Sequence, residues 1–319
     1  MPMSEKSKMA SRHMVAQALM ELAREDETIV VVTSDARGSA AITKFFDTFP
    51  ERAIEVGIAE QSAVGIAAGL ALCGKKVFVL GPACFYSARA FEQVKNDVAY
   101  TGANVKIIGV SGGVSYGPLG STHHALHDIA AFRAIPNMDV ILPSDANQAY
   151  AVVKHIVNRE RPAYIRIGRN PIPFVYDQPS FEIAKGYVLR NGSDVTIIAC
   201  GEVVWHALKA CEILSKEGVE ATLIDMPSIK PIDEEIIIKS ARKTGKVVTV
   251  EEHSVHGGLG EAVSAVLGNN FPVPVEIIAI PDEFPVTGRQ EEVFSHYGLD
   301  SVGIATRVQA FLRRLSHGR

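Results

Sequence analysis

The sequence predicts an α/β protein in which a doubly wound, mostly parallel sheet is followed by a second, smaller α/β domain. Short β-branched runs ending in Gly, Ser or Asp alternate with apolar stretches of helical length. The runs are apolar on both faces, as in parallel sheets covered by helices on two sides. The alternation stops in segment 169–182, which holds three prolines, and then resumes. We predict a first domain over 1–175, a linker over 176–190 and a second domain over 191–319.

The first domain opens with a predicted amphipathic helix over 12–24, because its apolar residues recur three and four positions apart. The remaining elements follow from the same two periods. Strands of the first domain are predicted at 29–33, 52–57, 76–81, 105–112, 138–143 and 163–168, with helices at 60–72, 89–100 and 146–158. Strands of the second domain are predicted at 194–201, 220–226, 246–252 and 275–280, with helices at 203–216, 233–244, from 259 onward and at 302–315.

Composition excludes several classes of protein. Lys plus Arg total 32 against 36 Asp plus Glu, a net charge of −4, which argues against a nucleic-acid partner. Hydrophobic residues make up 47%, as in a globular core, yet no apolar stretch reaches the roughly 20 residues that span a bilayer. The first residues lack the apolar core of a signal peptide. We therefore expect a cytoplasmic protein with no membrane partner.

Polar and aromatic residues follow the predicted parallel strands of the first domain. Ligands of open parallel sheets bind beyond the carboxyl ends of the strands, where these residues should meet. They are Ser34, Asp35, Arg37 and Ser39, then Ile58 and Glu60, then Cys84, Phe85 and Tyr86, then Ser111 and the histidines of 115–128, and finally Arg169. Carboxylates, aromatic rings and an arginine on one edge suit a planar aromatic cofactor beside an anionic substrate.

Glu60 is the most distinctive residue of this edge. It begins a helix of otherwise small and apolar residues, apart from Gln61 and Ser62. A carboxylate at a helix start also has an ordinary structural role, since it stabilises the helix dipole. Gly65 and Gly69, four residues apart, allow close packing of this helix against another element, either within the chain or in a second subunit.

Four segments in order resemble the transketolase family of thiamine-diphosphate enzymes: EVGIAEQSAVGIAAGLALCGKKVFV, GPACFYSARAFEQVKNDVAY, GSTHHALHDIAAFRAIPNMDVILPSDA and VVTVEEHSVHGGLGEAV. The resemblance implies that Glu60 bonds the pyrimidine ring of thiamine diphosphate and so favours its imino tautomer. It implies that Phe85 stacks on that ring, with Tyr86 as the alternative. Asp35 would lie near the thiazolium ring, and Ile58 would contact the cofactor.

The same resemblance implies how a sugar phosphate is held. Arg12, Ser39 and Arg169 match the positions that bind the phosphate, a role suited to the planar guanidinium group. His123 would bond substrate oxygens during the proton transfers. Two positions depart from the family pattern: Ser111 replaces a histidine, and Pro118–Leu119 replaces an acidic pair. Without that acid the site has no acceptor for one sugar hydroxyl, so we expect a deoxy or otherwise altered sugar.

The family's glycine-rich GDG diphosphate motif is missing from the sequence. The resemblance is therefore to the C-terminal subunit of a split transketolase. We expect no metal ligands in this chain; an N-terminal-type partner subunit would hold the diphosphate with Mg²⁺ or Ca²⁺. The expected assembly is an α2β2 heterotetramer that transfers a two-carbon ketol unit from a ketose phosphate to an aldose phosphate, and we expect this chain to be inactive alone.

Three alternatives stay open at this point. His123, His124, His127 and Asp128 could instead be ligands of a hydrolytic metal ion, since i and i+4 share a helix face. Another thiamine enzyme is possible, either a 2-oxo acid dehydrogenase of the beta type or a deoxyxylulose-phosphate synthase, although the paired arginines and the IAEQ context favour transketolase. The third alternative is a non-catalytic partner or scaffold.

Overall fold

The computed structural model describes residues 8–317, which form two adjoining α/β units. Residues 1–7 lie outside this range, and they include part of the segment on which the signal-peptide expectation depends. The strands are β1 (Lys8–Met9), β2 (Ile29–Thr33), β3 (Ala53–Glu55), β4 (Lys76–Pro82), β5 (Val105–Val110), β6 (Asp139–Ile141), β7 (Ala163–Arg166), β8 (Ile172–Pro173), β9 (Tyr187–Arg190), β10 (Val195–Ala199), β11 (Ala221–Asp225), β12 (Ser228–Lys230), β13 (Val247–Ser254) and β14 (Val275–Ile280). The helices are α1 (Ser11–Glu25), α2 (Thr43–Thr48), α3 (Glu60–Leu72), α4 (Ala83–Ala88), α5 (Phe91–Gln93), α6 (Asp128–Ala134), α7 (Ala146–Ile156), α8 (Val203–Lys216), α9 (Glu234–Thr244), α10 (Leu259–Asn270), α11 (Gln290–Tyr297) and α12 (Ser301–His317).

The first unit is built on a seven-stranded sheet in the order β12-β6-β7-β5-β4-β2-β3. All neighbours in it are parallel except β12, which runs antiparallel to β6. Every residue of β2, β5 and β7 is buried, because helices cover both faces of the sheet. The predicted α/β class with mostly parallel sheets is confirmed, and the carboxyl ends of β2, β3, β4, β5 and β7 share one edge.

The second unit is a five-stranded sheet in the order β14-β13-β10-β11-β9. Its four predicted strands are present and parallel, and β14 begins and ends where the sequence pattern places it. The antiparallel edge strand β9 is not among the predicted elements and lies at the end of the predicted linker. An edge strand has a neighbouring strand on one side only, and the residues of β9 are mostly half-buried. They therefore lack the continuous apolar run by which a buried strand is predicted.

The two units share a strand and a core. β12 follows β11 of the second sheet in the chain but pairs with β6 of the first sheet. One cluster of buried apolar side chains runs from the first sheet through Met226 and Ile229 to Ile237 and Leu259 of the second unit. An apolar interface of this kind fixes two domains relative to each other, so side chains from both units can contribute to one site.

Two local differences from the predicted elements lie near the sheet edge. The helix predicted over 89–100 is interrupted: α4 and α5 are followed by a π-helix at Val94–Tyr100. The buried residues of the π-helix are Val94, Val98 and Ala99. The spacing of these apolar residues is also compatible with an α-helix, so the sequence pattern alone cannot distinguish the two. Helix α6 forms where the sequence pattern predicts no helix.

In the described range 8–317, no helix has both the length and the apolar character needed to cross a bilayer.

Candidate active site

Glu60 lies at the edge of the first sheet where the parallel strands end. It is the first residue of α3, and its side chain is only 4% exposed. Arg89, at the end of α4, donates a hydrogen bond from Nη1 to Glu60 Oε2 at 3.2 Å. The guanidinium group is much more accessible than the carboxylate it meets, with 48% of the Arg89 side chain exposed. The site therefore has a buried carboxylate that an exposed cation reaches from outside.

The two adjacent aromatic residues of α4 point in different directions. Tyr86 is fully buried, its ring packs against Gly81, and its hydroxyl is hydrogen-bonded to Ser34 Oγ at 3.0 Å. Burial accordingly raises the pKa of the Tyr86 phenol. Phe85 is only half-buried, and the Arg89 guanidinium carbon lies 3.9 Å from its ring centroid. Of this pair, only Phe85 presents a ring face at the edge of the sheet.

A continuous row of contacts leads away from Phe85. Its ring meets His123 edge-on, with centroids 5.3 Å apart, and His123 in turn meets Tyr116 at 5.5 Å. The Arg169 guanidinium lies 5.4 Å from the Tyr116 ring centroid. A hydrogen bond of 2.9 Å between Thr122 Oγ1 and His123 Nδ1 fixes the imidazole. We call Glu60, Arg89, Phe85, His123, Tyr116 and Arg169 the edge row.

Two arginines meet at the far end of the edge row. Arg12 donates from Nη1 to the backbone carbonyl of Ser39 at 2.9 Å, which joins two of the three predicted phosphate-binding residues. Burial and the nearby charge of Arg169 lower the pKa of Arg12. Within residues 8–317 no carboxylate pairs with either arginine, and Arg12 Nε and Arg169 Nη1 are buried N–H groups without an acceptor. Such groups are costly when left unpaired and suit an anionic ligand.

The remaining predicted residues lie around the edge row. Asp35, in a left-handed backbone conformation, donates its backbone N–H to Glu55 Oε1 at 2.7 Å, and its side chain is exposed. Ile58 is 74% exposed and Leu119 is 53% exposed. Ser111 is buried, and its Oγ has no hydrogen-bond partner in the described part of the chain. Asp35, Ile58 and Leu119 are therefore accessible from solvent, whereas Ser111 is enclosed.

The histidine cluster considered as a metal site is dispersed. His124 Nε2 is hydrogen-bonded to the Gly117 carbonyl at 3.1 Å, and His127 Nε2 to Ser87 Oγ at 3.1 Å. Asp128 accepts a hydrogen bond from the Tyr164 hydroxyl at 2.6 Å. The described residues hold no group of three His, Cys, Asp or Glu side chains arranged to bind a metal ion.

A buried ion network, which sequence reasoning missed, anchors the loop that carries His123. Glu252 of β13 accepts the backbone N–H of Val114 at 2.8 Å and also pairs with Arg166 at 3.2 Å. Arg166 Nη1 lies 3.6 Å from Asp128 at the start of α6. The available signal was Arg166 itself, a charged side chain at the end of a buried strand, where it requires a buried partner. Glu252 of the second unit thus holds Val114 at one end of the 113–128 segment, and Arg166 of the first unit, itself paired with Glu252, holds Asp128 at the other.

Glu202, beside this network, provides a pH-dependent test of the interface between the units. It is 6% exposed, and its carboxylate packs against Gly168. Burial, reinforced by the charge of Glu252, raises the pKa of Glu202 to about 8. Stability from the neutral acid is complete below its unfolded pKa of about 4.3 and is lost as pH rises toward 8.

We therefore expect Glu202→Gln to be more stable than the parent at pH 8.5 but not at pH 4.5. The difference in unfolding free energy should grow by roughly 2–4 kcal/mol across that range. Urea unfolding at several pH values measures it. Glu217→Gln, at the exposed end of α8, is the matched control and should give no such trend. A pH-independent difference for Glu202→Gln would contradict the prediction.

Comparison with known proteins covers both units of the chain. Residues 7–173 match the transketolase pyrimidine-binding domain, and residues 184–304 match the transketolase C-terminal domain. The chain is 53% identical to a subunit of the apulose-4-phosphate transketolase of Phocaeicola vulgatus, over 96% of this chain and 98% of that protein. It is 39% identical to the 6-deoxy-6-sulfo-D-fructose transketolase subunit SqwH of a Clostridium species, over 88% of each chain.

A solved structure extends the similarity to three dimensions. The chain resembles a structure described as "Split gene transketolase, inactive beta4 tetramer", with a TM-score of 0.87 and 41% sequence identity. The match covers 96% of this chain and 99% of the other. Both domain matches and the near-complete coverage lead to one assignment: the chain belongs to the transketolase family.

Proposed function

We propose that this chain is the pyrimidine-binding subunit of a two-chain transketolase, which transfers a two-carbon ketol unit from a ketose phosphate to an aldose phosphate. The observation that carries the proposal is the edge row. It has a buried carboxylate and an aromatic ring face at one end, and at the other two arginines that find no acidic partner within residues 8–317. A cofactor ring and an anionic sugar phosphate would then lie side by side, with His123 between them.

Thiamine diphosphate, when bound, supplies the carbon nucleophile that breaks and forms the carbon–carbon bond. The residues present fit its pyrimidine end, because Glu60 is a buried hydrogen-bonding carboxylate beside the Phe85 ring. Glu60 would hold the pyrimidine nitrogen and control its protonation. Phe85 rather than Tyr86 would stack on the ring, since Tyr86 is enclosed in the core. Asp35 and Ile58, both exposed near the same edge, would contact the rest of the cofactor.

His123 would act on the substrate oxygens. Its Nδ1 is engaged by Thr122 Oγ1, so Nε2 is the nitrogen that we expect to face the sugar. The rings of Phe85 and Tyr116 hold the imidazole from two sides and limit its rotation. An imidazole held in this way can donate or accept a proton at a carbonyl or hydroxyl oxygen without first reorganising.

A phosphate between Arg12, Ser39 and Arg169 would satisfy the unpaired N–H groups of both arginines. We therefore expect Arg12→Ala to raise KM for phosphorylated sugars by about ten- to a hundredfold, because charge-assisted hydrogen bonds are lost. Initial-rate kinetics of the assembled enzyme measure this effect. Arg24→Ala, at the exposed end of α1, is the matched control. An equal rise in KM for unphosphorylated sugars would refute a phosphate-binding role.

A partner chain would supply the diphosphate and Mg²⁺ or Ca²⁺ site. The described residues offer no metal-ligand cluster of their own. Two relatives carry the names of transketolase subunits. Helix α3, which begins at Glu60, also has two exposed apolar side chains, Ile66 at 40% and Leu72 at 63%. Isolated apolar residues on a surface are ordinary, but two of them on the helix that begins at Glu60 suit a helix covered by another subunit. An α2β2 assembly would cover this helix.

We also propose that the substrate is a deoxy or otherwise altered sugar, because the site lacks an acceptor for one sugar hydroxyl. Leu119 is exposed near the site, and a leucine offers no acceptor to a sugar hydroxyl. The relatives named for apulose 4-phosphate and for a 6-deoxy-6-sulfo sugar support an altered substrate. Steady-state kinetics with xylulose 5-phosphate and a matched deoxy analogue test this part. A strong preference for xylulose 5-phosphate would count against the role of Leu119.

The decisive experiment is reconstitution. The chain is co-expressed with the product of a neighbouring gene that carries a diphosphate-binding motif, and ketol transfer is assayed for each chain and for the mixture with thiamine diphosphate and Mg²⁺. We expect turnover only in the mixture. Activity of this chain alone would overturn the two-chain proposal, and release of carbon dioxide from pyruvate without ketol transfer would indicate a different thiamine reaction.

A further inference from the structure

Arg89 makes two contacts that together define a planar binding position. Its guanidinium carbon lies 3.9 Å from the Phe85 ring centroid, and its Nη1 donates to Glu60 at 3.2 Å. A guanidinium group is flat and rich in N–H donors, and it stacks on aromatic rings. It therefore satisfies at once the ring face and the carboxylate that the proposed function gives to the cofactor.

The same position cannot hold two planar groups. A pyrimidine ring stacked on this face of Phe85 and bonded to Glu60 would need the volume that the Arg89 guanidinium fills. Nearly half of the Arg89 side chain is exposed, so it can leave toward solvent without disturbing the core. The contacts that it would give up are weak ones, an ion pair with one exposed partner and a single cation–π contact.

We propose that Arg89 is a displaceable occupant of the pyrimidine position, which closes the cofactor site of the free subunit and is displaced when the ring binds. The inference rests on the proposed function, since it takes the ring to be that of thiamine diphosphate. Because the Arg89 contacts must be broken when the ring binds, their energy makes the binding free energy of the ring less favourable. The free chain therefore binds the ring more weakly than its Phe85 and Glu60 contacts would allow.

Binding of two probes to the full chain tests this proposal. The probes are thiamine and its neutral half, 4-amino-5-hydroxymethyl-2-methylpyrimidine, titrated by ligand-observed NMR. We expect Arg89→Ala to bind both about fivefold more tightly than the parent, the gain corresponding to the contacts no longer broken. Measured against Glu60→Gln alone, the gain from Arg89→Ala should be smaller, because only the cation–π contact with Phe85 then remains to be broken. Arg314→Ala is the matched control, because Arg314 also contacts a phenyl ring and a glutamate, Phe311 and Glu276, but outside the edge row.

Three results would overturn the proposal. The first is unchanged or weaker binding of the probes to Arg89→Ala. The second is a gain for the charged thiamine but not for the neutral pyrimidine, which would indicate only that Arg89 repels a positive charge. The third is no binding of either probe to parent or variant. Thermal unfolding of each variant checks that the fold is kept. The proposed function is judged separately, by loss of turnover in reconstituted Glu60→Gln, so it can stand when the role of Arg89 fails.

Discussion

Glu60→Gln should lower kcat of the reconstituted enzyme by about 10²–10⁴-fold, the range expected when a group that controls proton transfer is removed. Glutamine keeps the size of the side chain and its capacity to accept a hydrogen bond, but it cannot give up or take a proton in the same way. The fold should be unaffected, because the ion pair of Glu60 with Arg89 has one highly exposed partner and contributes little.

Initial rates and thermal unfolding, measured on the same preparations, separate the two effects. Glu92→Gln is the matched control, since Glu92 is on the neighbouring α5 and lies outside the edge row. We expect that control to keep full turnover. A Glu60→Gln enzyme with more than a tenth of the parental kcat would show that the carboxylate at position 60 is not part of the chemistry, and would favour a structural role at the start of α3.

Arg166→Met should destabilise the chain by about 3–5 kcal/mol, because it leaves two buried carboxylates without their cation. Asp128 and Glu252 are both buried, and Arg166 reaches them at 3.6 Å and 3.2 Å. Burial raises the pKa of Glu252, and the charge of Arg166 opposes that rise. Without Arg166 the carboxyl group of Glu252 protonates more readily, so the loss of stability should be smaller at pH 5 than at pH 8.

Chemical denaturation at both pH values measures this loss. The control is Arg307→Met, whose partner Glu276 keeps a second arginine, Arg314, and which should cost less than about 1 kcal/mol. Since the same network anchors Val114 and the start of α6, Arg166→Met should also weaken substrate binding at temperatures where it remains folded. A pH-independent loss below about 1 kcal/mol would contradict the importance given to the network.

Local sequence patterns predicted most of the parallel strands and several helices. Helix α3 and helix α8 begin and end at the predicted residues, because apolar periodicity and a clear stop signal coincide there. The elements that were missed lack such a pattern. β9 is an edge strand, β12 pairs with a strand of the other unit, and the π-helix at Val94–Tyr100 has a spacing close to that of an α-helix.

The family resemblance in the sequence selected Glu60, Phe85, His123, Arg12, Ser39 and Arg169, and the fold brings these residues to one edge of one sheet. Between Phe85 and Tyr86 the sequence left both possibilities open. The structure shows that consecutive residues of this short helix face different ways and that the Tyr86 ring enters the core, which supports Phe85 in the proposed role. The placement of Arg89 over Phe85 and against Glu60 is likewise tertiary information.

Local periodicity and motifs in a fixed order were enough to predict the fold class, the division into two α/β units and the family. Which side chains meet across long separations in the chain is visible only in three dimensions. Glu252 and Val114 are 138 residues apart in the chain but share a hydrogen bond. Pairings of this kind depend on how two sheets pack against each other, and no local pattern in the chain encodes that packing.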